Sequence, residues 1–113
     1  MIGRDREPPF EVPEDKIVQY LLNLDHPKGG PKARYFLAFG FNASQPLQLA
    51  EALLAQREAH GLTTRLTEVA GRKRLVCEGP VVAPDGRRPH VRTVWQLYEG
   101  VAWRLITAVP LGR

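Results

Sequence analysis

The sequence has a single cysteine, Cys77, and no long hydrophobic run. One cysteine excludes an internal disulfide and a cysteine-rich zinc site. The N-terminal segment MIGRDREPPF lacks the apolar stretch of a signal peptide. Nowhere do about 18 apolar residues follow one another, as a membrane-spanning helix would require. These absences predict a cytoplasmic protein in a reducing compartment, without a membrane partner.

Motifs of metal-dependent and nucleophilic enzymes are missing as well. His26, His60 and His90 are scattered along the chain and show no ligand spacing such as HExxH. Neither a Walker loop nor a GxSxG elbow occurs. Cys77 stands within an apolar alternation, where a free cysteine usually serves as a small buried hydrophobe. The sequence therefore predicts no metal, no cofactor and no cysteine nucleophile.

What the sequence does have is a concentration of positive charge. Sixteen basic and twelve acidic residues give a formal net charge of +4. Seven basic and three acidic residues lie from Arg65 to Arg92, so this stretch accounts for the whole excess. Clustered cations bind a polyanion favourably because binding releases counterions from it. Cations also protect exposed strand edges from aggregation. The arginines predicted to bind RNA are Arg72, Arg74, Arg87, Arg88 and Arg104.

The first half of the chain has helical spacing. Residues 1–13 are polar and proline-marked and predict a flexible lead-in, followed by a single domain over residues 14–113. A first helix is predicted after Pro13, with an apolar stripe at Ile17, Tyr20, Leu21 and Leu24. A second is predicted over residues 31–39, and a third from about Gln45 to His60 with Ser44 as its N-cap and Gly61 after its end. The predicted buried face of the third helix consists of Leu47, Leu49, Ala50, Leu53 and Leu54.

The second half alternates with a period of two. Strands are predicted at residues 63–69, 72–78, 91–97 and 101–109, separated by turns at residues 70–71, 84–86 and 99–100. In the third of these strands, Thr93 shares one face with Val91 and Trp95, whereas Arg92 lies on the other. The last strand is apolar on both faces and is expected to be central. Helices followed by strands predict an α+β fold, with the helices on one face of an antiparallel sheet.

Several side chains suited to RNA cleavage without a metal are spread over both halves. They are His26, Lys32, Arg92, Thr93, Arg104 and Thr107. Cleavage through the 2′-hydroxyl needs a base near that hydroxyl, an acid near the leaving 5′-oxygen, and cations around the phosphorane. Histidine transfers protons near neutral pH, lysine and arginine hold phosphates, and threonine hydroxyls orient oxygens.

These residues also have structural interpretations. His26 suits a helix C-cap, and Arg92 suits a cross-strand pair with Glu78 or Glu99. Thr107 suits the β-propensity of threonine. The residue types therefore fit a ribonuclease, while their spacing leaves both interpretations open.

Longer motifs connect the same residues. They are Lys16-Ile-Val-Gln-Tyr20-Leu-Leu-Asn23, His26-Pro27-x-Gly29-Gly30-x-Lys32-Ala33-x-x-Phe36, Gly40-Phe41, Val76-x-Glu78-Gly79-Pro80, Pro84-Asp85-Gly86, Arg92-Thr93-Val94-Trp95 and Arg104-Leu105-Ile106-Thr107-Ala108-x-Pro110. Over about residues 16–110 this pattern resembles a bacterial family of small domains that occur alone or as C-terminal modules of secreted toxins. That family looks like the ribonuclease grouping of barnase, EndoU, colicin nucleases and RelE.

The resemblance implies a fold, an activity and a site. The fold is N-terminal helices on a curved antiparallel sheet of four or five strands, with the site on the sheet face. The activity is that of a metal-independent endoribonuclease of the bacterial toxin type, which leaves a 2′,3′-cyclic phosphate. The implied catalytic residues are Lys16, His26, Lys32, Arg92, Thr93 and Thr107. The implied partners are RNA and a small antitoxin or immunity-like protein.

Two other functions fit the sequence. A non-catalytic module would bind RNA or a protein through the same basic sheet surface, with strong salt dependence and no cleavage. A DNA-reading helix-turn-helix would use the second and third helices. The latter is the weaker alternative, because the third helix offers Arg57 at its centre but flanks it with Glu51 and Glu58.

Overall fold

The computed structural model describes residues 8–59 and 63–111. Residues 1–7 of the predicted lead-in lie outside the described residues, as do His60 and Gly61, where the third helix was expected to end. No helix in the described part of the chain is long and apolar enough to cross a membrane.

The helical half begins with an irregular helix. Helix α1 (Glu14–Lys16) continues as a π-helical segment, π1 (Ile17–Leu21), in which the Leu22 N–H donates to the Ile17 carbonyl 2.8 Å away. Helices α2 (Gly30–Ala38) and α3 (Pro46–Glu58) follow. Both have a proline in the first turn, where the missing N–H would have no helical partner anyway. π-Helical turns are rare and recur at functional sites.

The strand half forms a five-stranded sheet in the order β1-β5-β4-β3-β2. The strands are β1 (Phe10–Glu11), β2 (Thr63–Val69), β3 (Arg72–Pro80), β4 (His90–Tyr98) and β5 (Ala102–Pro110). Strands β2 to β5 pair antiparallel in sequence order, and β1 pairs in parallel with β5. The predicted α+β class, with N-terminal helices and C-terminal strands, is confirmed. The sheet is mixed because β1 joins it.

Strand β1 lies inside the segment that was expected to be a loose lead-in. The Phe10 ring stacks on Trp103 with centroids 5.7 Å apart and meets the edge of Trp95 at 5.3 Å. These contacts anchor a segment whose composition is otherwise polar. Because β1 is only two residues long, the part of β5 beyond Arg104 has no strand on its outer side within the described residues. The last strand is therefore less central than expected.

Alternation along β4 gives the sheet two different faces. Val91, Thr93 and Trp95 are fully buried against the helices, whereas Arg92 and Val94 between them lie on the opposite face and are only partly buried. The buried face, which also includes Cys77, Leu105 and Ala108, forms one core with the helical residues Ile17, Leu21, Phe36, Leu49 and Leu53. We call the other side the open face.

A bulge interrupts the pairing of the last two strands. Val94 pairs with Thr107 and Trp95 pairs with Leu105, so Ile106 has no partner on β4. Bulges increase local twist and are common beside active sites, because they redirect a side chain. Here the bulge lies directly before Thr107, at the end of the sheet that meets the first helix.

The helices differ from the sequence predictions in three places, two at helix ends and one in the buried face of α3. Ser44 is not an N-cap; its hydroxyl and its N–H both bond to the Asn42 side chain, and α3 begins after Gln45 without a side-chain cap. Leu24 is 55% exposed because the helix ends before it. Leu47 is 67% exposed, since the buried face of α3 follows Leu49, Ala50, Leu53 and Gln56 instead.

Candidate functional site

A cavity of about 560 Å³ opens where α1, π1 and α2 meet β5. Its lining residues are Asp15, Lys16, Gln19, Tyr20, His26, Lys32, Ile106 and Thr107. Four of the six predicted catalytic residues thus line one cavity: Lys16, His26, Lys32 and Thr107. Three of them come from the helical half and one from the last strand, so the fold itself brings them together.

Three polar side chains form a triangle of hydrogen bonds in this cavity. Lys32 Nζ donates to Tyr20 Oη at 2.5 Å and to Thr107 Oγ1 at 2.9 Å, and the two hydroxyl oxygens are 3.1 Å apart. Lys16 Nζ lies 5.4 Å from the centre of the Tyr20 ring, within the range of a cation–π contact. Tyr20 therefore connects both lysines and ties the helical half to β5.

The surroundings of Tyr20 change its acidity. Burial raises the pKa of its hydroxyl, but the hydrogen bonds from Lys32 and Thr107 and the charges of Lys32 and Lys16 lower it. The net pKa lies below the ordinary value of 10.0. Donors and cations favour the phenolate form. Tyr20 belongs to the YLLN motif but was not among the predicted catalytic residues; the available signal was its position one turn after Lys16.

The His26 ring is held in one orientation. Its Nδ1 accepts hydrogen bonds from the backbone N–H groups of Lys28 at 3.0 Å and Gly29 at 2.9 Å. A ring nitrogen that accepts from N–H groups carries no hydrogen, so we assign the hydrogen of the neutral ring to Nε2. The ring meets Tyr20 edge-on, with centroids 4.9 Å apart. Nδ1 thus fastens the loop before α2, and the Nε2–H group is the donor that the ring can offer to a ligand.

The paired glycines before α2 allow the loop to pack directly on π1. A Cβ atom at Gly29 would overlap the Tyr20 carbonyl oxygen and lie 2.7 Å from Tyr20 Cδ1, and one at Gly30 would lie 2.7 Å from the Leu24 carbonyl oxygen. Both glycines are buried. Close packing of the loop therefore explains why two glycines stand here. This packing brings His26 and Lys32 to Tyr20.

Arg92 lies on the open face and does not line the cavity. Its Nε donates to Glu78 Oε2 at 2.6 Å, so the cross-strand pair with Glu78 is present. Arg92 pairs with Val109 and Val94 with Thr107, which makes Arg92 a diagonal neighbour of Thr107. Such neighbours are about 7–8 Å apart. The backbone of Arg92 is therefore close to that of Thr107, while its guanidinium group is bonded to Glu78 on β3.

Thr93 lies in the core, contrary to its predicted place in the site. Its hydroxyl donates to Gln56 Oε1 and accepts from Trp95 Nε1, both at 2.9 Å. Gln56 in turn donates to the carbonyl oxygens of Gly79 and Val91. The alternation of β4 turns Thr93 away from the face of Arg92, so it joins α3 to the sheet and has no access to a phosphate.

The open face carries a group of arginines that we call the arginine face: Arg65, Arg72, Arg74, Arg92 and Arg104. Arg74 Nε donates to Gln96 at 2.8 Å, and the guanidinium groups of Arg72 and Arg104 lie 5.7 and 4.9 Å from the centre of the Tyr98 ring. Glu78 and Glu11 are the acids paired with members of this group. Three of the five predicted RNA-binding arginines, Arg72, Arg74 and Arg104, belong to it.

The other two predicted RNA-binding residues lie elsewhere. Arg87 follows the turn at residues 84–86, where it pairs with Asp85 at 2.7 Å, donates to the Ala38 carbonyl at 2.9 Å and covers the Phe39 ring. Its hydrogen bonds hold the pKa of Asp85 below the ordinary value. Arg88 is exposed in the loop before β4. Arg87 is thus engaged in the fold, and neither residue adjoins the cavity.

No cluster of three or more His, Cys, Asp or Glu side chains suited to a metal ion is found among residues 8–59 and 63–111. Cys77 is buried in the core, and burial raises the pKa of its thiol, which makes it a poor nucleophile. The side chains that line the cavity with polar groups are those of Asp15, Lys16, Gln19, Tyr20, His26, Lys32 and Thr107.

Comparison with known proteins identifies a family and a similar fold. The chain resembles a chain of the contact-dependent growth inhibition toxin–immunity protein complex from Klebsiella pneumoniae 342. The TM-score is 0.67 and the identity 14%, over 88% of this chain and 91% of that one. At this identity the likeness concerns the fold. No curated protein matches the chain. A family model described as a domain of unknown function (DUF6883) matches residues 8–112, and the chain therefore belongs to the DUF6883 family.

Proposed function

We propose that the protein is a metal-independent endoribonuclease of the bacterial toxin type. It would cleave RNA through the 2′-hydroxyl and leave a 2′,3′-cyclic phosphate and a 5′-hydroxyl. The observation that carries the proposal is the convergence of Lys16, His26, Lys32 and Thr107 on one cavity beside the arginine face. Both lysines and the histidine donor would surround a phosphate bound there.

The cavity supplies what a charged transition state needs. Negative charge builds on the non-bridging oxygens of the phosphorane, and fixed donors stabilise that charge. In our proposal Lys16 and Lys32 contribute charge and His26 contributes its Nε2–H group. Thr107 would hold Lys32 in place through their 2.9 Å hydrogen bond. Arg92, a diagonal neighbour of Thr107 across the two strands, would contact the phosphate next to the cleaved one.

The arginine face would bind the RNA strand on either side of the cleavage point. Guanidinium groups form bidentate hydrogen bonds with phosphates, and such contacts position a nucleic acid without reading its sequence. Tyr98, whose ring lies within cation–π distance of Arg72 and Arg104, would add a surface on which a base can stack.

A small inhibitory partner would cover the same surface. The similar solved structure is a toxin–immunity protein complex, which supports both the toxin function and an immunity-like partner. The chemistry of the arginine face calls for a partner that presents carboxylates, as the protein's own Glu11 and Glu78 already do. A bound partner of this kind would exclude RNA by occupying its charge partners.

The test is cleavage of tRNA and mRNA by purified protein in EDTA, with the double variant His26→Ala, Lys32→Ala beside it. Arg34→Ala is the matched control, because Arg34 is an exposed cation on α2 that does not line the cavity. We expect cyclic phosphate ends from the wild type and the control, and none from the double variant. Equal cleavage by all three would end the proposal. Salt-sensitive binding without cleavage would instead favour a non-catalytic RNA-binding module.

A further inference from the structure

The hydrogen bonds of the cavity place donors around the phenolic oxygen of Tyr20. Lysine donates only, so Lys32 supplies a hydrogen to Tyr20 Oη and another to Thr107 Oγ1. The Thr107 hydroxyl, which already accepts from Lys32, has its own hydrogen free to point at Tyr20 Oη, 3.1 Å away. In that arrangement two donors converge on the phenolic oxygen. Such a site stabilises an oxygen that has lost its proton.

His26 is poorly placed to receive a proton. Two backbone N–H groups occupy Nδ1, which assigns the ring hydrogen to Nε2. To accept a proton at Nε2, the ring would first have to move its hydrogen to Nδ1. That hydrogen would then oppose the N–H groups of Lys28 and Gly29 and break both hydrogen bonds. His26 is therefore a fixed donor in this cavity.

We propose, on the basis of the ribonuclease function above, that Tyr20 is the general base that removes the proton from the 2′-hydroxyl of RNA. The lowered pKa of its hydroxyl agrees with this role. His26 then acts as a hydrogen-bond donor to the phosphate, and Thr107 is a positioning residue that acts on Tyr20 Oη. Lys32 donates to the same oxygen in addition to the charge that it contributes to the phosphate.

The step balances with the groups in the cavity. The Tyr20 phenolate takes the 2′-hydroxyl proton while the 2′-oxygen forms a bond to phosphorus. The bond from phosphorus to the 5′-oxygen breaks, and its electron pair stays on that oxygen, which takes a proton from the Lys16 ammonium. Lys16 suits this task because it stands outside the Lys32–Tyr20–Thr107 triangle. Exchange with water then returns a proton to Lys16 and removes one from Tyr20.

The charged and titratable groups that face Tyr20 set the expected pH dependence. They are Asp15 and Lys16 from α1, His26 from the loop, and Lys32 from α2; β5 contributes Ile106 and Thr107, which do not titrate. Because the reactive form is the phenolate, kcat/KM is expected to rise with pH and to level off, with the midpoint of the rise below 10.0. A reaction that used His26 as its base would instead keep its rising limb in Tyr20→Phe and lose it in His26→Asn.

The experiment compares pH profiles of cleavage in EDTA for the wild type, Tyr20→Phe and His26→Asn. Tyr20→Phe is expected to lose about 10²- to 10⁴-fold in kcat/KM and to lose the rising limb. His26→Asn keeps a short side-chain acceptor for the loop, and is expected to be slower but to retain the limb. Thermal unfolding checks that each variant is folded.

A second substitution covers the case in which Tyr20→Phe does not fold. Site-specific replacement of Tyr20 by 3-fluorotyrosine, a more acidic phenol of nearly the same shape, is expected to move the rising limb to lower pH. The same replacement at Tyr35, which does not line the cavity, is the control and is expected to leave the limb in place. An unmoved limb with fluorinated Tyr20 would overturn the assignment.

The outcomes separate this assignment from the proposed function. If the wild type cleaves RNA and Tyr20→Phe cleaves equally well, the ribonuclease function stands and the role of Tyr20 is wrong. If the wild type does not cleave any RNA, the ribonuclease function is wrong and the role of Tyr20 fails with it.

Discussion

Arg92 and Thr93 are consecutive residues of β4, and their side chains lie on opposite faces of the sheet. The Thr93 hydroxyl is held between Gln56 and Trp95 in the core, while the Arg92 guanidinium group pairs with Glu78 on the open face. One short motif thus contributes to two different properties. The contacts of Thr93 predict a role in stability, and we propose that Arg92 takes part in binding an anion. Substitutions at these two positions should separate the properties cleanly.

Thr93→Val is expected to destabilise the protein without changing the cleavage rate of the folded fraction. The substitution keeps the side-chain volume but removes the hydroxyl that bonds to Gln56 and Trp95. Leaving buried polar partners unsatisfied costs about 1–3 kcal/mol. Urea unfolding measures the loss, and Thr93→Ser, which keeps the hydroxyl, should recover most of it. A Thr93→Val protein of wild-type stability that no longer cleaves RNA would return Thr93 to the active site.

Arg92→Ala is expected to weaken RNA binding and its salt dependence. Each phosphate contact with a single strand contributes about 0.7 to the slope of log K against log salt concentration. Loss of Arg92 should lower the slope by about this amount. The stability should change little, because a partly exposed ion pair contributes about 0–1 kcal/mol. The measurement is a salt titration with a 2′-deoxy oligonucleotide, which lacks the attacking hydroxyl.

Arg87→Ala is the matched control for that titration. Its guanidinium group is already bound to Asp85 and the Ala38 carbonyl, away from the arginine face. The slope should therefore remain as in the wild type. If Arg87→Ala lowers the slope and Arg92→Ala does not, the RNA path runs over the turn at residues 84–86 instead.

Most of the fold followed from hydrophobic periodicity, which is a local property of the chain. The three helices and the four long strands lie close to where their spacing predicted them. Strand β1 was missed because its stability comes from the contacts of Phe10 with Trp95 and Trp103, far along the chain. The π-helical turn was missed because side-chain spacing does not reveal a shift from four-residue to five-residue hydrogen bonds.

The site could be predicted in part for the same reason. Periodicity already placed Thr93 on the face of Val91 and Trp95, opposite to Arg92. Thr93 was nevertheless predicted as a site residue because the family motif Arg92-Thr93-Val94-Trp95 implied both residues. Residue types pointed to Lys32 and Thr107, but their shared hydrogen bonds to Tyr20 join positions from both ends of the chain. Which nitrogen of His26 is free depends on backbone N–H groups in its own loop, and composition carries no information about them.

The protein is expected to gain stability from Tyr20 as the pH rises toward 10.0. The pKa of Tyr20 is lowered in the folded protein relative to 10.0. In the window between the folded pKa and 10.0, the unfolded chain binds more protons, so the free energy of unfolding rises with pH. This contribution is complete above 10.0 and is lost as the pH falls through the folded pKa. The measurement is the free energy of unfolding of the wild type and of Tyr20→Phe across pH 7–10.5. The difference between the two is expected to widen with pH, and a constant difference would contradict the prediction.

Gly29→Ala is expected to lower both stability and cleavage, because the added methyl group meets the backbone of Tyr20. The φ of Gly29 is −85°, which alanine adopts freely, so the effect is one of space alone. Overpacking of this kind costs about 1–3 kcal/mol. It would also move Tyr20 away from Lys32 and Thr107. Gly71→Ala is the control, since Gly71 has open space but a φ of +80°. That variant should lose stability through backbone strain while its folded fraction cleaves RNA normally; if Gly29→Ala does the same, the close contact of the loop with Tyr20 is not needed for activity.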